Sequence, residues 1–501
     1  ERYFVNYNAE EAISQNRIIK CTGSRCVKEQ YHPGFYLDGS FEDVKTETGE
    51  DEEETTTTFN IQLIYCTTDD GCNSINKDSE GTALVDGYYL DASTYNVTMG
   101  ENGKNVTVYK GLIKCEGVIE NEEVIGYSCA KVESSNIHDG YYLNAINGDD
   151  DKFTNALIKC SEGQCNAYTV PGEANSIFVN EDTGKLIQCF DTTSSSGRKR
   201  SGEVTKGCNA FASTATLEVP VFYLNAAATN DTTVAYKDDI IRCGKFGESE
   251  EVQCQILDGA NEVGEYSVFV NGNLNGASNG LSDDDAITNT DSTATEQLII
   301  CSGNTCEAVE STVASDTGYD HYYVNAGVYT TTEEEEQTFT LIKCTYDTSA
   351  TVCSPVVVPT MNGTEMFFIN GNYDLDTAHY LVKCTSLTTC TPYGTTPTPE
   401  SDGTVEYFVY GAPDTDDPLV DAVLTVTHGS SAATDTSSSG RKREGDDPTT
   451  PTTPNITFTL VRGEANDIYI NAFTHNLIQC FDASNAGSGR NVRMTREPPK
   501  V

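Results

Sequence analysis

One short hydrophobic pattern recurs along the chain. In residues 140–165, GYYLNAINGDDDKFTNALIKCSEGQC, an apolar-aromatic run (Tyr141, Tyr142, Leu143) ends on Asn144. A polar, acidic stretch follows, and a second run (Leu157, Ile158, Lys159) ends on Cys160, five residues before Cys165. Short runs of Tyr, Leu and Ile bounded by Gly, Asn and Asp read as β-strands, and NGDDDKFTN between them reads as a surface loop. Eleven first runs occur, ending at Asn6, Asp38, Asp91, Asn144, Asn180, Asn225, Asn271, Asn325, Asn370, Tyr410 and Asn471. Each is followed by a second run. Ten of these end at Cys21, Cys66, Cys115, Cys160, Cys189, Cys243, Cys301, Cys344, Cys384 and Cys480, and the other is a degenerate VLTVT at 423–427. A third short strand often starts at the next cysteine, as in CVKEQ from Cys26 and CEAVES from Cys306.

A unit repeating about every 45 residues makes residues 1–501 a single array rather than several globules. Its coils start near residues 1, 33, 86, 139, 174, 219, 266, 319, 365, 405 and 466. The pattern predicts an all-β chain: a disulfide-stapled β-solenoid of about eleven coils, each with roughly three short strands. Equivalent strands are expected to stack as parallel sheets about 4.8 Å apart. The Asn ending each first strand is expected to turn a corner and bond its equivalents above and below. The loop between first and second strands varies from five residues (181–185) to about twenty in the second repeat, and it gathers acidity at one corner, as in ETGEDEEETTTT and TTTEEEEQT. None of these loops has the ligand order of a calcium loop, and acidic runs are ordinarily solvated.

The 19 cysteines change the picture from β-rich to stapled. They fall one pair per repeat and no CxxC occurs, which disfavours zinc. The expected bonds are Cys21–Cys26, Cys66–Cys72, Cys115–Cys129, Cys160–Cys165, Cys189–Cys208, Cys243–Cys254, Cys301–Cys306, Cys344–Cys353 and Cys384–Cys390. The tenth repeat has Thr427 at the expected first-cysteine place and no second cysteine. Cys480 has no partner before Val501, so it is expected to be unpaired or bonded to another chain; the duplication of 172–191 at 463–482 puts its expected partner past residue 501. Five N-x-Ser/Thr sequons (Asn96, Asn105, Asn230, Asn362, Asn455) are candidate N-glycosylation sites in loops. Disulfides, sequons and acidity together point to an extracellular protein. The N-terminal ERYFVN opens on a repeat strand without a signal peptide, so a processed chain or a fragment is expected. Two basic stretches, SSSGRKRS at 194–201 and SSSGRKRE at 437–444, suit proprotein cleavage after Arg200 and Arg443.

The net charge of −46 argues against nucleic acid and anionic lipid as partners. No stretch approaches the roughly 20 apolar residues of a membrane span. No catalytic, cofactor or metal motif is found. The six histidines (His32, His138, His321, His379, His428, His475) are expected to be solvated, in loops or beside strands. The sequence therefore does not point to an enzyme.

The GYYLN…LIKC…C unit resembles the scaffoldin-type repeats of anaerobic gut fungi over nearly the whole chain; the degenerate tenth repeat and the basic sites depart from it. The resemblance implies a secreted cellulosome scaffold that holds dockerin-bearing plant-cell-wall hydrolases. Taken with the residues, it implies a non-catalytic structural protein. Its partners are either copies of itself, added head to tail into filaments through bare ends, or such hydrolases.

Overall fold

The computed structural model describes residues 1–8, 17–39, 63–76, 84–99, 105–120, 123–146, 156–170, 176–191, 206–228, 239–257, 267–272, 297–302, 305–309, 311, 319–331, 336–347, 350–359, 365–371, 379–394, 403–411, 423–429, 455–462, 467–480 and 492–495. These residues are nearly all β-strand and turn, with two 3₁₀ turns at Ala92–Thr94 and Ser134–Asn136 and no α-helix.

Each repeat is a small antiparallel meander. In the fourth, Gly140–Leu143 pairs with Leu157–Ser161, which pairs with Gln164–Tyr168, all antiparallel. The connection explains the direction. Only Glu162 and Gly163 separate Ser161 from Gln164, and both have positive φ (52° and 69°). Two left-handed residues make the tight turn whose twist suits a hairpin, whereas a parallel connection would need a dozen or more residues.

The expected parallel stacking of equivalent strands is therefore corrected. The hydrogen-bonded ladders run within each repeat, and the first strands of neighbouring repeats meet at a single parallel bridge. Tyr3 meets Asp38, Phe35 meets Asp91, Tyr88 meets Asn144, and the series continues to Tyr407 with Asn471. At Tyr141 and Asn180 this contact joins the fourth and fifth repeats into one six-stranded sheet.

The core lies between repeats, not inside them. Adjacent residues of a strand point to opposite faces, and both faces are buried here. Tyr88 and Leu112 of the third repeat pack on Tyr142, Ile158 and the Cys160–Cys165 disulfide of the fourth. Tyr141 and Leu157 of the fourth pack on Phe178, Ile187 and Cys189–Cys208 of the fifth. The same rule holds from the first repeat against the second to the tenth against the eleventh: the Leu face of one repeat covers the Ile-and-cysteine face of the next.

Candidate functional site

The seam between successive repeats is the feature this chain builds most often. Three devices shape it, one inside each repeat and two across the seam, each traceable to the sequence. The first is the residue ending each first strand. Its backbone N–H donates to a carbonyl just before the second strand, as Asn325 does to Thr340 and Asn370 to Tyr380. Its side-chain oxygen accepts the N–H two residues on: Ile146 to Asn144, Ala227 to Asn225 and Gly327 to Asn325. The Asn325 and Asn370 amides donate to the Phe339 and His379 carbonyls at 2.9 and 2.6 Å. Where these bonds are seen they stay within the repeat, so the expected corner is present, but it is fixed by a local Asx turn and a clip on the following loop. All eleven of these residues are buried, at 0–7% exposure. At Asp91 the carboxylate accepts the Ser93 N–H in the same way and also pairs with Lys131 at 2.9 Å, and at Asp38 it accepts from Ser74.

The second device is the residue after that corner. Its N–H donates to the preceding repeat: Gly39 to Tyr3, Ala145 to Tyr88, Ala326 to Val268, Gly371 to Tyr322 and Gly411 to Phe367, at 2.6–3.0 Å. It is Gly or Ala in these five repeats because the preceding strand sits against it, whereas Glu181 makes the same bond to Tyr141 in the fifth. A Cβ on Gly371 would run into the Tyr323 ring, and one on Gly411 into the Phe368 ring.

The third device joins the residues leading into one second strand to the second cysteine of the following repeat. The Cys306 N–H donates to Asp239 at 2.8 Å, and the Cys353 N–H to Gln297 at 2.7 Å. The Cys254 N–H donates to the Gly184 carbonyl, and Tyr109 and Cys165 exchange both backbone bonds. The third strand is therefore fastened at its cysteine by the neighbouring repeat as well as by its own disulfide.

Of the nine disulfides, eight lie at these seams, Cys66–Cys72, Cys115–Cys129, Cys160–Cys165, Cys189–Cys208, Cys243–Cys254, Cys301–Cys306, Cys344–Cys353 and Cys384–Cys390, and Cys21–Cys26 lies on the uncovered face of the first repeat. Each links residues directly opposite in the second and third strands, with Cα atoms 4.0 Å apart.

Two sequence readings shift by register. Val426, not Thr427, holds the first-cysteine place of the tenth repeat, since Val426 faces Glu406 as Cys384 faces Met366. Its partner across the hairpin is Phe458, so an apolar pair stands in for the disulfide. The second-cysteine place opposite Cys480 is taken by Val492, within the same repeat rather than past the last residue. Cys480 itself is unbonded but fully buried beside Val409, Val423 and Ile478. Burial, and then Asp467, push its thiol pKa up. A buried, protonated thiol is a poor candidate for a bond to another chain.

The histidine expectation is corrected at His428, which is 4% exposed. Its Nε2 lies 2.9 Å from Glu406, which also accepts from Tyr380 of the ninth repeat at 2.7 Å, while Nδ1 has no partner. His32 is stacked on Tyr95, with ring centroids 4.0 Å apart, and burial lowers its pKa. Asn96 and Asn105 are exposed on a hairpin. Asn455 begins the strand Asn455–Val461. Asn230, Asn362, Arg200, Arg443 and the acidic run at 47–58 lie outside the described residues.

Lysines of the second strands sit over first-strand rings, as Lys114 does on Tyr88 and Lys159 on Tyr141. Burial opposes the charge of Lys114, but hydrogen bonds to Glu116 and Asp182 outweigh it and raise its pKa. Among the described residues no cluster of His, Cys, Asp and Glu is placed to hold a metal, and no helix is long and apolar enough to cross a membrane. Comparison with protein-family models, curated proteins and solved structures finds no match.

Proposed function

We propose that this protein is a secreted, non-catalytic scaffold: one continuous array of disulfide-stapled repeats that adds head to tail into extracellular filaments. The observation that carries this reading is the constancy of the seam. Each internal repeat offers a Leu face forward and, backward, a face that carries its disulfide or, in the tenth, the apolar Val426 and Phe458 in its place. The first repeat has Phe4, Ile19 and Cys21 of its cysteine face half-exposed and Cys26 exposed, where the next repeat buries Tyr36, Ile64, Cys66 and Cys72. The eleventh repeat exposes Ile468 and Ile470 of its Leu face to 58% and 61%. These two open faces have the chemistry of partners in an ordinary seam. Such a contact is heterologous and propagates unless it closes into a ring. The disulfides suit an oxidising, extracellular setting.

Face-packed sheets lie about 10 Å apart, so eleven repeats would span on the order of 100 Å, roughly twice the rise of coils stacked strand on strand. Electron microscopy and sedimentation of the purified, non-reduced protein test the reading. Fibres with an axial repeat near that length are expected, and Ile470→Glu should dissolve them. Protein that stays at monomer mass at high concentration overturns filament formation. It would favour the second role implied by the scaffoldin-type resemblance, display of dockerin-bearing hydrolases, which pull-down with a dockerin-bearing enzyme would test.

A further inference from the structure

We propose that Asn96 and Asn105 both carry N-linked glycans, and that each glycan covers the apolar side chains presented by the opposite strand of one projecting hairpin. The hairpin lies between the first and second strands of the third repeat, as Asn96–Met99 paired with Asn105–Val108. Its base is fixed on both sides. Tyr95 stacks on His32, the Tyr109 hydroxyl donates to the Pro33 carbonyl at 3.0 Å, and the Tyr109 backbone is bridged to Cys165. Beyond that base the ribbon is wet on both faces. Val97, Met99 and Val106 are 47%, 79% and 41% exposed.

The register distributes these groups in a regular way. Asn96 is opposite Val108 and Thr98 opposite Val106, so one face carries the whole sequon Asn96, Thr98 together with the exposed Val106, while Val108 is already buried at the base. Asn105 is opposite Met99 and Thr107 opposite Val97, so the other face carries the second sequon together with Val97 and Met99. A two-stranded ribbon with unpaired edges and exposed apolar side chains is marginal on its own and a template for unwanted pairing. A glycan on each Asn would lie over the exposed apolar side chains of its own face, Val106 for Asn96 and Val97 with Met99 for Asn105, so two glycans cover both faces and one covers only one. In the transfer, Nδ2 bonds to the anomeric carbon of an oligosaccharide carried on a polyprenyl diphosphate. The carbon–oxygen bond to the diphosphate breaks, the diphosphate leaves with the bonding pair, and Nδ2 gives up a proton. The inference needs passage through a secretory pathway but not end-to-end association.

The test uses the full chain secreted from a eukaryotic host. Amide-cleaving deglycosylation in heavy-oxygen water should convert both Asn96 and Asn105 to labelled Asp, read by peptide mass spectrometry. Absence of label at either residue overturns double occupancy. Binding of an apolar dye should rise severalfold in Asn105→Gln and less in Asn96→Gln, because the Asn105 face holds the more exposed side chains. Thr107→Ala, which keeps the asparagine but removes its sequon, should match Asn105→Gln. After enzymatic deglycosylation, wild type and variants should bind dye equally. Full occupancy with no rise in dye binding on losing either glycan overturns the covering role.

Discussion

The ninth and tenth repeats place the same three strands around different fasteners. In the ninth, Cys384 and Cys390 close the hairpin. In the tenth, Val426 and Phe458 face each other at those positions, and Glu406 gathers His428 and Tyr380 beside them. Both repeats belong to one core, in which Phe367, Leu381, Phe408, Leu424 and Val426 are all buried. The comparison teaches that face-to-face packing holds the meander and a disulfide is one way to fill a cross-strand site. What the tenth repeat gives up is restriction of its unfolded chain.

The largest expected effect follows from that difference. Reducing all nine disulfides should release roughly 2–4 kcal/mol of stabilisation each and lower the unfolding temperature far more than any single substitution. Hydrogen exchange should show the tenth and eleventh repeats opening first in the oxidised protein, with this gradient levelling after reduction. Graded reduction read by mass spectrometry should open Cys21–Cys26 before the others, because Cys26 is exposed whereas Cys66 and Cys72 are buried. If the tenth repeat exchanges no faster than the ninth under oxidising conditions, the staples do not set the order of opening.

A converse experiment gives the tenth repeat a staple. Val426→Cys with Phe458→Cys should form a disulfide spontaneously and raise stability by up to about 2–4 kcal/mol, less the apolar packing lost at Phe458. Thr427→Cys with Phe458→Cys should not bond, since Thr427 faces Thr457 on the other side of the sheet. Bonding only in the second variant would return the cysteine place to Thr427.

That one-residue question marks what was readable in the sequence and what was not. Strand positions and cysteine spacing were legible because LIKC and GYYLN recur with small variation. The tenth repeat was not, because VLTVT has no cysteine to fix its phase, and in a strand a shift of one residue exchanges the faces. The stacking mode was hidden for another reason. Tyr141 and Tyr142 are adjacent and both buried. A strand buried on both faces reads the same in a stack of sheets as in a parallel sheet. The clue to the antiparallel hairpin was the two-residue Glu162–Gly163 connection, too short for a crossover. The burial of His428 had no signal at all, since its partners Glu406 and Tyr380 are set by register.

Alkali should attack the array from the other end. Burial raises the phenol pKa of Tyr36, Tyr89, Tyr142 and Tyr322 above the usual value, and of Tyr88 with help from Asp182. For a group whose folded pKa is raised, the stabilisation is complete below the unfolded pKa, about 10, and is lost as pH rises from there through the folded value. Each unit of difference amounts to about 1.4 kcal/mol. The ninth and tenth repeats have Phe368 and Phe408 where the second to fourth have Tyr36, Tyr89 and Tyr142. Hydrogen exchange above pH 10 should therefore find the second to fourth repeats and the Tyr322 seam between the eighth and ninth destabilised before the seam between the ninth and tenth, and phenolate absorbance should appear together with unfolding. Phenolate appearing well before any loss of structure would mean these rings are not sealed in the seams.

The smallest effect concerns the corner residue, where the ninth repeat has Asn370 and the tenth has Tyr410. Asn370→Ala should cost about 1–3 kcal/mol, because the part-buried carbonyl of His379 loses the amide that donates to it at 2.6 Å. Asn370→Asp is more informative. It keeps an acceptor for the turn but replaces the donor by a carboxylate aimed at a carbonyl oxygen. The natural aspartates at this place have partners, Lys131 for Asp91 and Ser74 for Asp38, and the ninth repeat has no equivalent lysine pairing among the described residues. Burial and the facing carbonyl should raise the pKa of the new carboxyl. Its raised folded value means that the variant is nearest wild type below about pH 4, the unfolded value, and falls behind as pH rises through the folded value. Denaturant unfolding at pH 4 and pH 7 measures the difference. An equal deficit at both pH values would show that the corner does not sense charge, and that the natural aspartates need their partners for some other reason.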